Sequence, residues 1–423
     1  MYKNKLTVID LFAGAGGLSE GFIRAGFDLV AHIEMDEAAC YTLRTRMAYH
    51  WLKAHNKLSI YKEYLQQNIN RSELYETIPA KILDSVICSE IGSKTTNNVF
   101  KNIDSLLDGR KLDLLIGGPP CQAYSLVGRS CDKNGMRGDK RNYLFMHYAE
   151  FLKRYSPKYF VFENVTGLLS AKDAKGNLYL DSMKRVFREI GYTVEVETLI
   201  ASEYGVPQNR KRVILVGRKG NKKGFYPSPK KVVPKFCIND LFADLPSLSA
   251  GAGKMVVDSH LPSSNRLHLQ RSGILFKQHS FPLTLHVARP HQPRDLEIYR
   301  RVVDAWNQEG TRAKYNDLPE KLKTHRNRHS FTDRYKVVAG NKFTSHTVMA
   351  HISKDGHYYI HPDIKQNRSL TPREAARLQT FPDDYFFESI SETPGRTAPY
   401  KQIGNAVPVL LAQKIAESLL ENW

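Results

Sequence analysis

The 423 residues contain no C-x-x-C pair: Cys40, Cys88, Cys121, Cys131 and Cys237 are odd in number and scattered. That spacing argues against a structural zinc site or a disulfide framework, no metal is expected, and a reducing cytoplasm fits. Long apolar runs are missing as well. No window approaches the roughly 18 uninterrupted apolar residues of a membrane-crossing helix. The opening MYKNKLTVIDLFAGAGG runs from two lysines straight into a short apolar strand and a glycine turn, without the pattern of a secretory signal. Neither internal repeats nor low-complexity tracts occur.

Acidic residues are the scarcer charge: 43 Asp and Glu stand against 62 Lys and Arg, for a net +19. The imbalance is local. Residues 1–207 hold 27 basic and 24 acidic groups, residues 208–335 hold 25 and 10, and residues 336–423 hold 10 and 9. A concentrated positive block on a folded chain is the electrostatic footprint of a polyanion partner, although a basic face also serves solubility.

The first segment alternates short apolar runs with helical stretches. Strands are predicted at Leu6–Phe12, Leu29–Glu34, Leu112–Ile116, Tyr159–Phe162, Thr193–Leu199 and Val213–Val216, with a tight turn at Gly14–Gly17 and a helix at Leu18–Ala25. This alternation predicts an α/β fold with a doubly wound, mostly parallel sheet. Asp36–Lys111 has helical patterning and reads as an inserted helical layer. After Arg218 the run KGNKKGFYPSPKKVVPK marks a boundary or hinge. From there to about Gln366 no strand–helix alternation is legible, and short β-like pieces such as Thr347–Ile352 and Tyr358–Ile360 predict a smaller, β-rich second domain. Helical order returns with Thr371 as N-cap, Pro372 at the first position and Glu374 completing a capping box. A last helix is predicted at Val409–Leu420, after a Gly404-Asn405 turn. The division is 1–216 and 368–423 for one domain and 217–367 for the other.

Asp10-Leu-Phe-Ala-Gly-Ala-Gly-Gly17 is a glycine turn between the first strand and first helix, suited to close backbone approach by a ligand. The dinucleotide fingerprint fails, because Ser19 stands where its third glycine belongs. Glu34 ends the second strand, where a carboxylate can accept both hydroxyls of a ribose. A nucleoside ligand without a pyrophosphate suits this set, and S-adenosylmethionine is one. Packing alone also accounts for such glycines.

Gly117-Gly-Pro-Pro-Cys-Gln-Ala-Tyr-Ser125 is more specific. A buried strand ends at Ile116, and two glycines and two prolines then present Cys121 at the carboxyl edge as a candidate nucleophile. Glu163 follows the Tyr159–Phe162 strand at the same edge, where it can serve a ring nitrogen as acid or hydrogen-bond donor, or act as an N-cap or in a structural ion pair. Gln208-Asn-Arg-Lys-Arg212 adds the guanidinium groups of Arg210 and Arg212.

The ordered blocks DLFAGAGG, GGPPCQAYS, ENV, QNRKR, RSLTPREAARLQTFP and QIGNAVP resemble the signature blocks of DNA (cytosine-5) methyltransferases, spread over both ends of the chain. The resemblance implies the AdoMet-dependent methyltransferase fold, with a divergent target-recognition region in the gap Gly217–Asn367, where most of the basic block lies. It implies methyl transfer to carbon 5 of a flipped-out cytosine in duplex DNA through a covalent Cys121 adduct. Glu163 matches the carboxyl that engages ring N3 and the exocyclic amine, and Arg212 the guanidinium near O2, with Arg210 beside it. Cofactor contacts are implied at Asp10, Phe12, Gly14, Ala15, Gly16, Gly17, Glu34, Met35, Pro120, Leu144, Asn405 and Val407. DNA contacts are expected at Gln122, Ser125, Arg289, Arg294, Arg326 and Arg328. The family's habits also imply a restriction–modification setting, a cognate endonuclease acting on the same site, and a monomer on DNA.

One departure stands out. The acidic-plus-aliphatic pair that the family places after its third strand to bind adenine has its nearest counterpart in Asn102-Ile103, with Asp104 one residue on. Two rival readings share the scaffold: a tRNA cytosine-5 methyltransferase, and a catalytically silent, sequence-specific DNA-binding protein.

Overall fold

A computed structural model describes residues 5–120, 144–173, 175–257, 266–275, 281–325, 327–329, 332–392 and 395–423. Its centre is a seven-stranded sheet built from β1 (Thr7–Leu11), β2 (Asp28–Glu34), β3 (Val86–Cys88), β4 (Leu114–Gly117), β5 (Tyr159–Asn164), β6 (Tyr192–Ile200) and β8 (Lys211–Lys219), in the order β3-β2-β1-β4-β5-β8-β6. A two-residue strand, β7 (Gln208–Asn209), lies outside it and pairs with Ser345–His346. The first five strands run parallel, whereas β8 is antiparallel to both β5 and β6. Strand order reverses between β1 and β4, so the carboxyl ends of those strands form the crevice in which an open α/β sheet holds its ligands.

Alternation along each strand divides the core. Ile9, Leu11, Leu115, Phe160 and Phe162 face one way, against α6 (Thr96–Leu107), α7 (Leu144–Tyr155) and α8 (Tyr179–Glu189). Val8, Leu114, Ile116, Val161 and Ile214 face the other way, against α1 (Gly17–Ala25) and the helix Val409–Glu421. Contact between those two helices is very close. A Cβ on Gly17 would lie 2.2 Å from the Val407 carbonyl oxygen, and one on Gly21 would lie 2.4 Å from the Ala412 Cβ.

The inserted helical layer is present as α2 (Glu37–Ala54), α3 (Leu58–Leu65), α4 (Arg71–Glu76) and α5 (Ala80–Asp84). Its Tyr49, Tyr61 and Leu74 share one apolar cluster with Phe236, Leu241, Leu283, Val348 and Leu378. The capping box expected at Thr371 forms as read, with Pro372 at the start of the helix Pro372–Leu378.

Several expectations need correction. The third strand, only three residues long, gave no readable alternation, and β3 was missed. Asn102 and Ile103 lie within α6 instead of after a strand, with Ile103 fully buried. Gly404-Asn405 ends the helix Thr397–Asn405 and is not a free turn. Strand β8 continues to Lys219, past the expected boundary at Gly217. The β-rich character expected for 217–367 is not found among the described residues. Strands there amount to Val256–Val257 paired with Leu283–Thr284, and Ser345–His346, while Pro293–Glu309 is a 17-residue helix. That helix supplies Ile298, Tyr299, Val302 and Val303 to a small core of its own with Tyr315, Leu318 and Tyr335. Proline at its first position and apolar side chains at helical spacing were the signals available for it. Among the described residues no helix is long and apolar enough to cross a membrane.

Candidate active site

The turn after β1 is held by β2. Ala13 N–H donates to the Ile33 carbonyl at 3.1 Å, and Phe12, Gly14 and Gly16 all adopt positive φ. The glycines divide the work. A Cβ on Gly14 would meet nothing within 4 Å, so the turn opens there onto free space, whereas Gly16 is walled in by Leu43 and the Tyr385 hydroxyl, each 2.8 Å from such a Cβ. Ala15 is buried, and its carbonyl accepts from the Tyr385 hydroxyl at 2.6 Å. Gly17, as described, accommodates Val407. Two of the three glycines thus serve packing, and Gly14 is the one left for a ligand.

Glu34 stands at the carboxyl end of β2, facing that turn. Its carboxylate accepts from the backbone N–H groups of Gly14 at 2.7 Å and of Met35 and Asp36 at 2.8 Å each. Burial pushes the carboxyl above the usual range, against those three donors, which favour its charged form. Met35 next to it is 62% exposed, an apolar side chain left on the rim of the crevice. Asp10 sits beneath the turn, fully buried, and neither carboxyl oxygen makes a well-formed hydrogen bond. Burial pushes its pKa up to about 7, with Ser19 close enough to oppose the shift.

Strand β3 ends at Cys88, whose register partner is Glu34, and the Ser89 N–H donates to the Glu34 carbonyl at 2.8 Å. The next residues are Glu90, exposed, and Ile91, buried. An acidic-plus-aliphatic pair therefore does follow the third strand, at Glu90-Ile91 and not at Asn102-Ile103. Asp104 is engaged elsewhere, with Arg154 and Tyr155.

Two strands away, β4 and β5 build the other half of the crevice. Gly118 is pressed against Glu163: a Cβ there would lie 2.6 Å from the Glu163 Oε2 and 3.0 Å from its carbonyl oxygen. The buried Asn164 amide donates to the Pro119 carbonyl at 3.2 Å. The Gly-Gly-Pro-Pro turn is thus fixed onto the end of β5 as far as Pro119. Cys121, Gln122 and Ser125 lie outside the described residues. Leu144 opens α7, half-buried.

Antiparallel pairing of β8 with β5 brings Arg212 back to the same edge. Its Nε lies 2.5 Å from the Glu163 Oε1, an ion pair without the alignment of a hydrogen bond, and both side chains keep about an eighth of their surface exposed (12% and 13%). Arg210 is not brought there. Its guanidinium is buried and donates to the carbonyls of Val348 at 2.6 Å and Gly404 at 3.3 Å, clamping the Thr397–Asn405 helix to the strand connection. Arg210 falls in the one-residue break between β7 and β8, where it turns inward, whereas Arg212 lies within β8 at the edge. Asn405, exposed, and Val407, buried, end that clamped segment beside Gly17.

Of the arginines expected to meet DNA, Arg289 is committed internally, donating to the carbonyls of Ile352 and Ser353 and packing over the Tyr400 ring. Arg294 and Arg328 are exposed, each beside a carboxylate, Asp295 at 3.5 Å and Glu320 at 2.9 Å. Arg326 lies outside the described residues.

Open space at Gly14, a carboxyl at Glu34, an exposed apolar rim at Met35 and the Glu90-Ile91 pair form one wall that fits an adenosyl ligand. The Glu163–Arg212 pair and the proline turn form the other, which fits a planar polar ring. The sequence profile of the C-5 cytosine-specific DNA methylases matches residues 6–73 and 68–421. The type II methyltransferase M.Bpa9945I of Bacillus paralicheniformis is 42% identical, over 98% of this chain and 98% of its own. M.DdeI of Desulfomicrobium norvegicum, also a type II methyltransferase, is 32% identical over 98% and 88%. Among solved structures, a DNA modification methyltransferase encoded within an E. coli prophage superposes with a TM-score of 0.60 at 21% identity, covering 99% of both chains. With this fold, this edge and this match, the chain belongs to the C-5 cytosine-specific DNA methylase family.

Proposed function

We propose that the protein transfers a methyl group from S-adenosylmethionine to carbon 5 of a cytosine flipped out of a specific duplex DNA sequence, as the modification partner in a restriction–modification system. The observation that carries this is the meeting of the Glu163–Arg212 pair with the turn that leads into Cys121.

Carbon 5 of cytosine is a weak nucleophile. Addition of the Cys121 thiolate at carbon 6 makes the ring an enamine, with the electron pair delivered to carbon 5. Glu163 supplies a proton or hydrogen bond at N3, where negative charge would otherwise collect. Arg212 holds Glu163 in place and offers its remaining N–H groups to O2. Bound S-adenosylmethionine supplies an electrophilic sulfonium methyl. Glu34 would receive its ribose hydroxyls, Gly14 would let its chain pass, and Met35, Glu90 and Ile91 would border its adenine, with Phe12, Pro120, Leu144 and Asn405 completing the walls.

We further infer that residues from about Gly217 to Asn367 read the target, with Arg294 and Arg328 as phosphate or base contacts once they leave their carboxylates. The tRNA reading is supported by no residue specific to it. Tritiated methyl transfer to duplex DNA against tRNA tests the proposal: transfer to DNA is expected, and transfer to tRNA alone, or to neither, overturns it. A duplex with 5-fluorocytosine at the target should trap the enzyme covalently, since fluorine cannot leave as a proton does.

A further inference from the structure

Part of the basic block cannot belong to that cleft. In the antiparallel pairing of β8 with β5, Arg218 lies opposite Tyr159, and the Lys219 N–H donates to the Lys158 carbonyl. Tyr159 begins β5, whereas Glu163 and Arg212 mark its carboxyl end. Four residues of strand, about 13 Å at 3.3 Å each, separate the two edges. Arg218, Lys219 and Lys158 therefore sit on the edge of the sheet opposite the catalytic one, with Lys222 and Lys223 following.

This edge is built, not frayed. The Glu195 carboxylate receives the backbone N–H groups of Gly224, Phe225 and Tyr226 at 2.5, 3.1 and 2.7 Å, which fixes the end of the loop carrying Lys222 and Lys223. The Gly220 N–H donates to Gly191 and its carbonyl accepts from the Thr193 hydroxyl. Arg218 Nε donates to the Tyr159 hydroxyl at 3.2 Å, and Lys158 lies over the Tyr159 and Trp423 rings. Lys219 bonds the Ser156 hydroxyl. Five cations are gathered here, and among the described residues none of them has a carboxylate within ion-pair distance. Held together in this way they repel one another. Phosphates spaced along a duplex relieve that repulsion and release counterions as they do.

We propose that this second edge is a sequence-independent duplex-DNA contact, so that one monomer holds two duplex segments at once, one in the catalytic cleft and one behind the sheet. The inference rests on the first duplex occupying the cleft, as proposed above.

The test uses the full chain and 30-base-pair duplexes of arbitrary sequence. Protein bound to an immobilised duplex is offered a labelled second duplex, at low salt. Wild type is expected to capture the second duplex, and the exposed-residue variant Lys219→Glu/Lys222→Glu/Lys223→Glu to stay on the first while capturing none. Capture of the second duplex by wild type should fall with salt with a log–log slope of about −2.7 or steeper, at 0.9 per phosphate for three contacts. Capture retained by the variant overturns the proposal, because capture then comes from self-association. Loss of the first duplex by the variant, with its melting temperature unchanged, overturns it too, because the patch then belongs to the main interface. The neutral Gln triple variant separates misfolding from charge: it must melt like wild type and lose capture. No binding of wild type to the first duplex would instead sink the proposed function itself.

Discussion

Glu163 joins Arg212 to the proline turn in one wall of the crevice, and it can be probed without touching the thiol. Glu163→Gln keeps the shape and removes the charge that holds Arg212. Proton donation from a positioned side chain contributes about 10²–10⁴-fold. Single-turnover methyl transfer should therefore fall by about that factor, with S-adenosylmethionine affinity within about twofold of wild type by titration. Equal loss of both would make the carboxyl structural. Cys121→Ser should lose transfer while binding DNA, since a hydroxyl is a far weaker nucleophile at neutral pH; a rate near wild type would exclude the assignment. Gly118→Ala is a sharper probe of the geometry. Its new methyl would stand 2.6 Å from the Glu163 Oε2, so Glu163 must move. Transfer should drop at least about tenfold while the melting temperature changes little, given that Gly118 itself is half-exposed. Arg210→Lys should do the opposite. It strips donors from the carbonyls of Val348 and Gly404, so a loss of roughly 1–3 kcal/mol in denaturant unfolding is expected, at a DNA affinity like that of wild type.

At the scale of elements, the joint between the inserted helices and the loop before Thr397 is polar and buried. Glu388 receives the hydroxyls of Thr45 at 2.6 Å and Tyr64 at 2.5 Å, with Arg71 3.7 Å away. Burial still dominates and pushes its pKa up to about 7 from 4.5. A raised carboxyl favours the fold in its protonated form. The contribution is complete below about 4.5, and it is lost as pH rises through 7, by up to roughly 3 kcal/mol. Glu388→Gln should remove that dependence. The stability gap between variant and wild type, followed by urea unfolding from pH 5 to pH 8, should move in the variant's favour as pH rises. A constant gap would mean that Glu388 is charged throughout. Element by element, the sequence was legible where patterns were long: β1, β2, β5, β6, β8 and α1 fall within three residues of their predicted limits, and the capped helix starts at Thr371 as predicted. It failed at β3, where three residues carry no period, and the error spread to the adenine pair. It failed again at Pro293–Glu309, where an expectation of strands masked a helical spacing. Arg210 and Arg212 could not be told apart by type, because what separates them is the break between β7 and β8 at Arg210, which leaves no trace in the residue pattern.

For the whole molecule, function turns on the division between scaffold and reader. The described part of 217–367 has its own small core at Ile298–Tyr335 but shares a larger one with α2–α4 and the helix Pro372–Leu378. A graft of Gly217–Asn367 into a related methylase of known target should carry specificity with it, read by sequencing methylated host DNA. Unchanged host specificity would place recognition elsewhere. Because the shared core would be cut, the exchanged chain is also expected to melt lower than either parent.

The contact of Gly17 and Gly21 with Val407–Gln413 has a consequence in time. Chains are made from the amino end at about 5–20 residues per second, so the glycine turn leaves the ribosome well before its partner exists. For most of the roughly 20–80 s that this rate implies between the start and Val407, the first helix lacks the surface it must lie against. The glycine turn proposed to hold the methyl donor thus closes only after residues 407–413 have been made. Chains that stop before Val407 should be unable to take up the donor, which ties the onset of DNA modification to the synthesis of that distant segment.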